Sequence, residues 1–144
     1  MVAIVITIET VKQLNLEDAA QVLELFKKIP GRTCSAAAFL DYMARAWGNI
    51  KLIVLRRESA IVGFTLAVKP SILEPKIGWL PFSSALPAIP SKYTKLGFKT
   101  AEQWLIEQGA DVMRFTSVRK PTALKKNYGV EPSREVLYEK QLRD

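Results

Sequence analysis

The sequence predicts an α/β (α+β) domain: a mixed, mostly antiparallel sheet of six or seven strands flanked by about four helices, in the order β-α-α-β-β-β-α-β-α-β. Three observations carry that expectation. Two apolar, β-branched runs, "IKLIVLRR" (50–57) and "AIVGFTLAV" (60–68), are separated only by Glu58 and Ser59, the spacing of a tight antiparallel hairpin. Further on, "DVMRFTSV" (111–118) follows a helix-period segment that itself follows a strand, which implies a parallel crossover. Apolar residues make up 49% of 144, enough for a real core, and no linker-like or repeated segment divides the chain, so one domain over 1–144 is expected.

In chain order, "VAIVITIETV" is rich in β-branched residues and reads as the first strand, over 2–11, rather than as a signal peptide, because it lacks a basic leader and a small-residue cleavage site. Asn15 is placed to cap a helix, with Glu17 and Asp18 in the first turn where the helix dipole favours them. Leu16, Ala19, Ala20, Leu23 and Phe26 recur at helical spacing, and Pro30-Gly31 stops that helix. A second helix starts at Thr33 or Ser35, buries Ala36, Phe39, Leu40, Met43 and Trp47, and is expected to take Gly48 as its C-terminal cap. After the hairpin, "KIGWLPFSSALPAIP" reads as a fourth strand over 76–89, bulged or splayed by Pro81 and Pro87, which donate no ladder hydrogen bond. "SKYTKLGFKTAEQWLIEQGA" is helical up to Gly109, "PTALKKNY" is a short helix with Pro121 near its start, and "REVLYEKQL" (134–142) a closing strand.

Composition narrows the chemistry. The chain has no histidine, which removes Ser-His-Asp and Cys-His nucleophiles and every His-based zinc site. With a single cysteine, Cys34, no metal is expected, no internal disulfide forms, and the count suits a reducing cytoplasm. Acid–base work must then fall to carboxylates, Lys, Tyr, water or the substrate. The longest apolar run, "AIVGFTLAV", is far short of the roughly 20 residues of a membrane helix, so no membrane partner is expected. A formal charge of +7 favours anionic partners, but the chain lacks the stacked aromatics or groove-reading helix that would point to nucleic acid.

The tail "NYGVEP" followed by "REVLYEKQL" resembles the helix, glycine-hydrophobe turn and closing strand of the GNAT superfamily of acetyl-CoA-dependent N-acetyltransferases, with Gly129-Val130 on the family's Gly-Phe pair. The element order matches from Val2 to Leu142. Within the superfamily the chain looks most like the small, divergent acetyltransferase-like proteins of tailed bacteriophages. The resemblance implies acetyl-CoA as cofactor and an amine as acceptor. It also implies an opening between the fourth and fifth strands in which the backbone of Leu86, Ala88 and Ile89 meets the pantetheine arm.

A Q/R-x-x-G-x-G/A loop at the next helix start would wrap the pyrophosphate, since free amides and the dipole bind anions there. Two registers fit. In one, "KYTKLG" supplies the loop, with Lys92 at the Q/R position, Lys95 where the first glycine belongs, Leu96 between, and Gly97 last. In the other the helix begins near Ser91, Gly97 lies inside it, and Lys92, Lys95 and Lys99 share one face. Amides converging on a helix start would favour the cofactor; a continuous helix from Ser91 would argue against it. At the family's usual general acid, four residues before the glycine, stands Lys125, so Tyr128 is the candidate acid. Glu74 is the candidate base.

A second reading keeps the fold without the catalysis: a structural or protein-interaction component, in a phage particle for example, that associates with itself or with other subunits.

Overall fold

The computed structural model describes residues 5–117, 121–133, 135 and 138–142. Strand β1 (Ile6–Thr10) leads into helices α1 (Leu16–Phe26) and α2 (Ala36–Ala46). Strands β2 (Ile50–Arg57), β3 (Ala60–Val68) and β4 (Ile77–Ala85) come next, then α3 (Ser91–Glu107), β5 (Val112–Arg114) and α4 (Pro121–Tyr128). The strands lie side by side in chain order. Neighbours run antiparallel up to β4, and β4 and β5 run parallel. This is the expected mixed α+β architecture with five strands among the described residues, fewer than the six or seven anticipated. The closing strand expected over 134–142 falls partly on Arg134, Val136 and Leu137, outside the described residues, and residues 135 and 138–142 are not in a strand.

Local chemistry sets the boundaries. The Asp18 amide donates to Asn15 Oδ1 at 2.8 Å and the Ala38 amide to Ser35 Oγ at 3.1 Å, so side-chain caps start α1 and α2, and Ser35 rather than Thr33 opens the second helix. Gly48 does not cap α2 in a left-handed conformation as expected. The chain tightens into a 3-10 turn over Trp47–Asn49, and the positive-φ glycines are Gly31, Gly109 and Gly129. The hairpin turn is Glu58-Ser59 as read from the spacing, with Arg57 paired to Ala60. Between β3 and β4, Leu66 pairs with Phe82 but Val68 with Trp79, so Leu80 and Pro81 together oppose Ala67. Proline thus occupies a bulge, where its missing N–H costs no ladder bond.

The sheet buries both faces. On one, α1 and α2 pack with Leu52, Val54, Phe64 and Leu66. The rings of Phe26 and Phe39 stack at 4.1 Å and Phe82 meets both edge-on. On the other face, Ala101 and Leu105 of α3 pack on Ile53, Ala67 and Leu80. Gly78 is required here, because a Cβ would come within 2.6 Å of Leu105 Cδ2. Trp47 joins the first of these cores, as its helical stripe suggested, and Trp104 the second.

Candidate active site

The site starts from the way two strands part. β4 and β5 are paired over only three positions, Ile77 with Val112, Gly78 with Met113 and Trp79 with Arg114. From Leu80 to Ala85, β4 then runs on without β5, roughly 20 Å at about 3.3 Å per residue. At that far end a cleft of about 250 Å³ opens between the sheet and α3, with Tyr128 of α4 at its edge.

Its walls are apolar below and hydroxylic above. Ile53, Leu55 and Phe64, with Ala85, Leu86, Pro87 and Ile89, form the apolar part; among the described residues Thr65, Ser83, Ser84, Ser91, Thr94 and Tyr128 are its hydroxyl-bearing residues. Thr65, buried in the central strand, shares a 3.1 Å hydrogen bond with Ser83 Oγ. Gly97 closes the α3 side; a Cβ there would sit 3.6 Å from Leu55 Cδ2, an ordinary contact. Tyr128 is half-buried and held by its ring, 4.9 Å from Phe98, which itself meets Phe115 edge-on at 5.4 Å.

Of the residues singled out from the sequence, Leu86, Ile89, Gly97 and Tyr128 converge on this cleft. Ala88 lies in the turn between β4 and α3 but does not line it. Lys92 and Lys95 are exposed on α3 outside the cleft. Leu96 and Lys99 border a shallow depression, with Lys51 and Trp104 among its other residues. Lys125 is exposed and pairs with Glu131 at 3.3 Å.

Glu74 is not brought to the cleft. It precedes β4, at the opposite end of the strand. Trp79 Nε1 donates to Glu74 Oε1 at 3.2 Å, and Arg114 Nη1 lies 3.7 Å from Oε2 and 3.4 Å from Glu135 Oε2. The carboxylate therefore ties the start of β4 to β5.

The structure also chooses between the two registers. Helix α3 is continuous from Ser91, Gly97 lies within it, and the turn before it, Leu86 to Pro90, contains no glycine. Pro90 at the cap position offers no side-chain bond to the first-turn amides. The loop register is thus corrected: no glycine loop exists to wrap a pyrophosphate, because Gly97 is buried against the sheet.

Thr65, Ser83, Ser84 and Thr94 were missed in the sequence. Thr65 had a signal, as the lone hydroxyl in the apolar run "AIVGFTLAV". Ser83 and Ser84 had one too, as small polar residues on a strand interrupted by proline. Among the described residues no group of three His, Cys, Asp or Glu side chains is arranged to hold a metal ion, and no helix is long and apolar enough to cross a membrane.

No protein-family model matches the sequence, and no curated protein matches it. In three dimensions the likeness extends along the whole chain. Aminoglycoside N-acetyltransferase AAC(6')-Iy in complex with CoA superposes with a TM-score of 0.75 at 14% identity, over 98% of this chain and 97% of that one. Aminoglycoside 6'-N-acetyltransferase AAC(6')-IG from Acinetobacter haemolyticus gives 0.72 at 16%, over 96% and 99%. Glucosamine-6-phosphate N-acetyltransferase from Arabidopsis thaliana gives 0.69 at 13%, over 96% and 99%. The chain has the fold of the GNAT acetyltransferases.

Proposed function

We propose that this protein is an acetyl-CoA-dependent N-acetyltransferase that holds the pantetheine arm of its donor in the cleft beside the end of β4. The observation that carries the reading is that cleft, hydroxyl-lined and opening where β5 stops short of β4. Its fold is shared with acetyltransferases whose structures contain CoA or a CoA bisubstrate analogue. At about 250 Å³ it is smaller than the roughly 300–1,000 Å³ that encloses a whole small ligand. A slender arm with two amides fits such a space, and hydroxyls and strand amides suit its polar groups.

In the reaction the acceptor nitrogen attacks the thioester carbonyl carbon, the C–S bond breaks, and the proton lost by the amine ends on the departing thiolate. Tyr128 Oη is the donor proposed for that last proton. Glu74, engaged with Trp79 and Arg114, is assigned to holding the strands together, and water takes the amine's proton. The acceptor is an amine.

Calorimetry with acetyl-CoA and with free pantetheine tests the reading, alongside a Thr94→Trp variant that fills the cleft. Binding of both ligands that Thr94→Trp removes, at an unchanged melting temperature, is the expected result. No binding of either would overturn it in favour of the second reading, a GNAT-fold protein kept for its surface, virion component or other. The glycine-free turn and Lys125 at the family's acid position favour that second reading.

A further inference from the structure

We infer that the cleft also accepts, in preference to free acetyl-CoA, a pantetheine thioester carried on an acidic carrier protein docked on the exposed face of α3. The inference rests on the reading of the cleft given under the proposed function and adds the partner. A carrier protein and CoA present the same arm. They differ at its far end: CoA continues into a diphosphate and a phosphorylated nucleoside, whereas a carrier-borne arm ends in one phosphate ester on a protein surface. A site for CoA therefore needs an arm cleft and a nucleotide cradle. A site for a carrier needs an arm cleft and a docking face.

The first combination is incomplete here. The turn Leu86 to Pro90 reads "LPAIP", with no glycine to bring backbone close to a diphosphate and no polar side chain to bind one. The arm cleft itself is intact and arm-sized.

The second combination is present. Ser91, Thr94 and Gly97 of α3 line the cleft. One residue further round the helix from Ser91 and Thr94 lie Lys92 and Lys95, with Lys99 a turn beyond, all exposed. Positions three and four apart on a helix are about 5–6 Å neighbours, and like charges there repel by a few tenths of a kcal/mol per pair. Among the described residues none of the three lysines is in an ion pair. Leu96, 48% exposed, lies to one side of them, on the flank of α3 that meets Lys51 and Trp104. A row of exposed lysines is complementary to an acidic helix face, and its first two members, Lys92 and Lys95, follow directly on the cleft residues Ser91 and Thr94. The overall charge of +7 speeds encounter with such a partner.

The test uses four probes in titration calorimetry: an acidic acyl carrier protein with its phosphopantetheine arm, the same carrier without the arm, CoA, and pantetheine. The armed carrier is expected to bind at least about tenfold tighter than CoA or the armless carrier, with an affinity that falls as salt is raised. In Lys92→Glu/Lys95→Glu/Lys99→Glu, the ratio of carrier affinity to pantetheine affinity should drop at least about tenfold. CoA binding as tightly as the armed carrier, or wild-type carrier affinity in the triple variant, would overturn the inference. If pantetheine binds and Thr94→Trp abolishes it while the carrier adds nothing, the docking face fails and the cleft stands. If neither pantetheine nor CoA binds, both readings fall.

Discussion

Neutralising one carboxylate, Asp18→Asn on α1, should cost far more than loss of an exposed ion pair, because Asp18 is buried. Arg56 on β2 reaches Asp18 with two parallel bonds, Nη1 to Oδ1 at 3.2 Å and Nη2 to Oδ2 at 2.8 Å, while its Nε donates to Glu9 Oε2 at 2.7 Å. The side chains of Arg56, Asp18 and Glu9 are 18%, 11% and 48% exposed. The bonds to Asp18 first, then to Glu9, push the guanidinium's pKa further above its ordinary value, so its contribution is lost only as pH rises beyond any range of use. The variant therefore leaves a charged, largely desolvated guanidinium facing an amide that keeps one acceptor and adds donors. Breaking a buried pair costs about 3–5 kcal/mol and an exposed one about 0–1. The intermediate burial points to about 2–3 kcal/mol for Asp18→Asn, against about 0.5 for Glu9→Gln. At about 2.1 cal/mol/K per residue, the larger loss lowers Tm by about 7–10 °C. Urea melts with an unchanged slope measure it, and the paired replacement Asp18→Leu/Arg56→Met should recover most of the loss. A cost for Asp18→Asn no greater than for Glu9→Gln would refute the burial argument.

The same geometry sets other outcomes. Gly97→Ala should raise stability by up to about 1 kcal/mol, read in urea, because the methyl meets only Leu55 and alanine is the better helix former; a loss would mean that residue 97 needs glycine's backbone freedom. Gly78→Ala should cost about 1–3 kcal/mol by overpacking, since Leu105 is only 1% exposed and has no room to retreat. Burial pushes the Tyr42 phenol up, so its stabilising contribution is intact below its ordinary value near 10 and is lost as pH rises past it. Tyr42→Phe should match wild type at neutral pH and outlast it in alkaline melts. Once an acceptor supports turnover, Tyr128→Phe should lower kcat by about 10²-fold or more, whereas Glu74→Gln should change it less than about threefold; the reverse order would return the acid–base role to Glu74.

The hairpin was fully legible, because Glu58 and Ser59 are the only residues between two strands whose bounds the structure reproduces at 50–57 and 60–68. Asn15 was legible for the same reason: capping is local chemistry. The end of the fourth strand was not. It was expected to reach residue 89 and stops at Ala85, where Pro87 interrupts and the Leu86 amide already bonds Val62 O. Of the fifth strand expected over 111–118, whose last residue lies outside the described ones, only Val112–Arg114 is strand, since its length depends on how long β4 stays beside it. Glycine is compatible with both a loop and a helix interior, so local sequence left the register at Gly97 open; its contact with Leu55, forty-two positions away in the chain, decides it.

The cleft itself arises from a conflict within β4. Ile77 and Gly78 are paired to β5, and Trp79 to β5 on one side and β3 on the other, a grip reinforced across Glu74, Trp79 and Arg114. At Leu80-Pro81 the extra residue against β3 turns the strand, and a bulge increases local twist. Past that point β4 keeps its ladder with β3 through Ser83, Ser84 and Ala85 but no longer runs beside β5. Its outer edge then faces a space that α3 partly covers from Ser91 and that Tyr128 reaches from the other side. A ligand placed there meets strand amides in regular array on a rigid element, with only the short turn and the α4 end able to adapt.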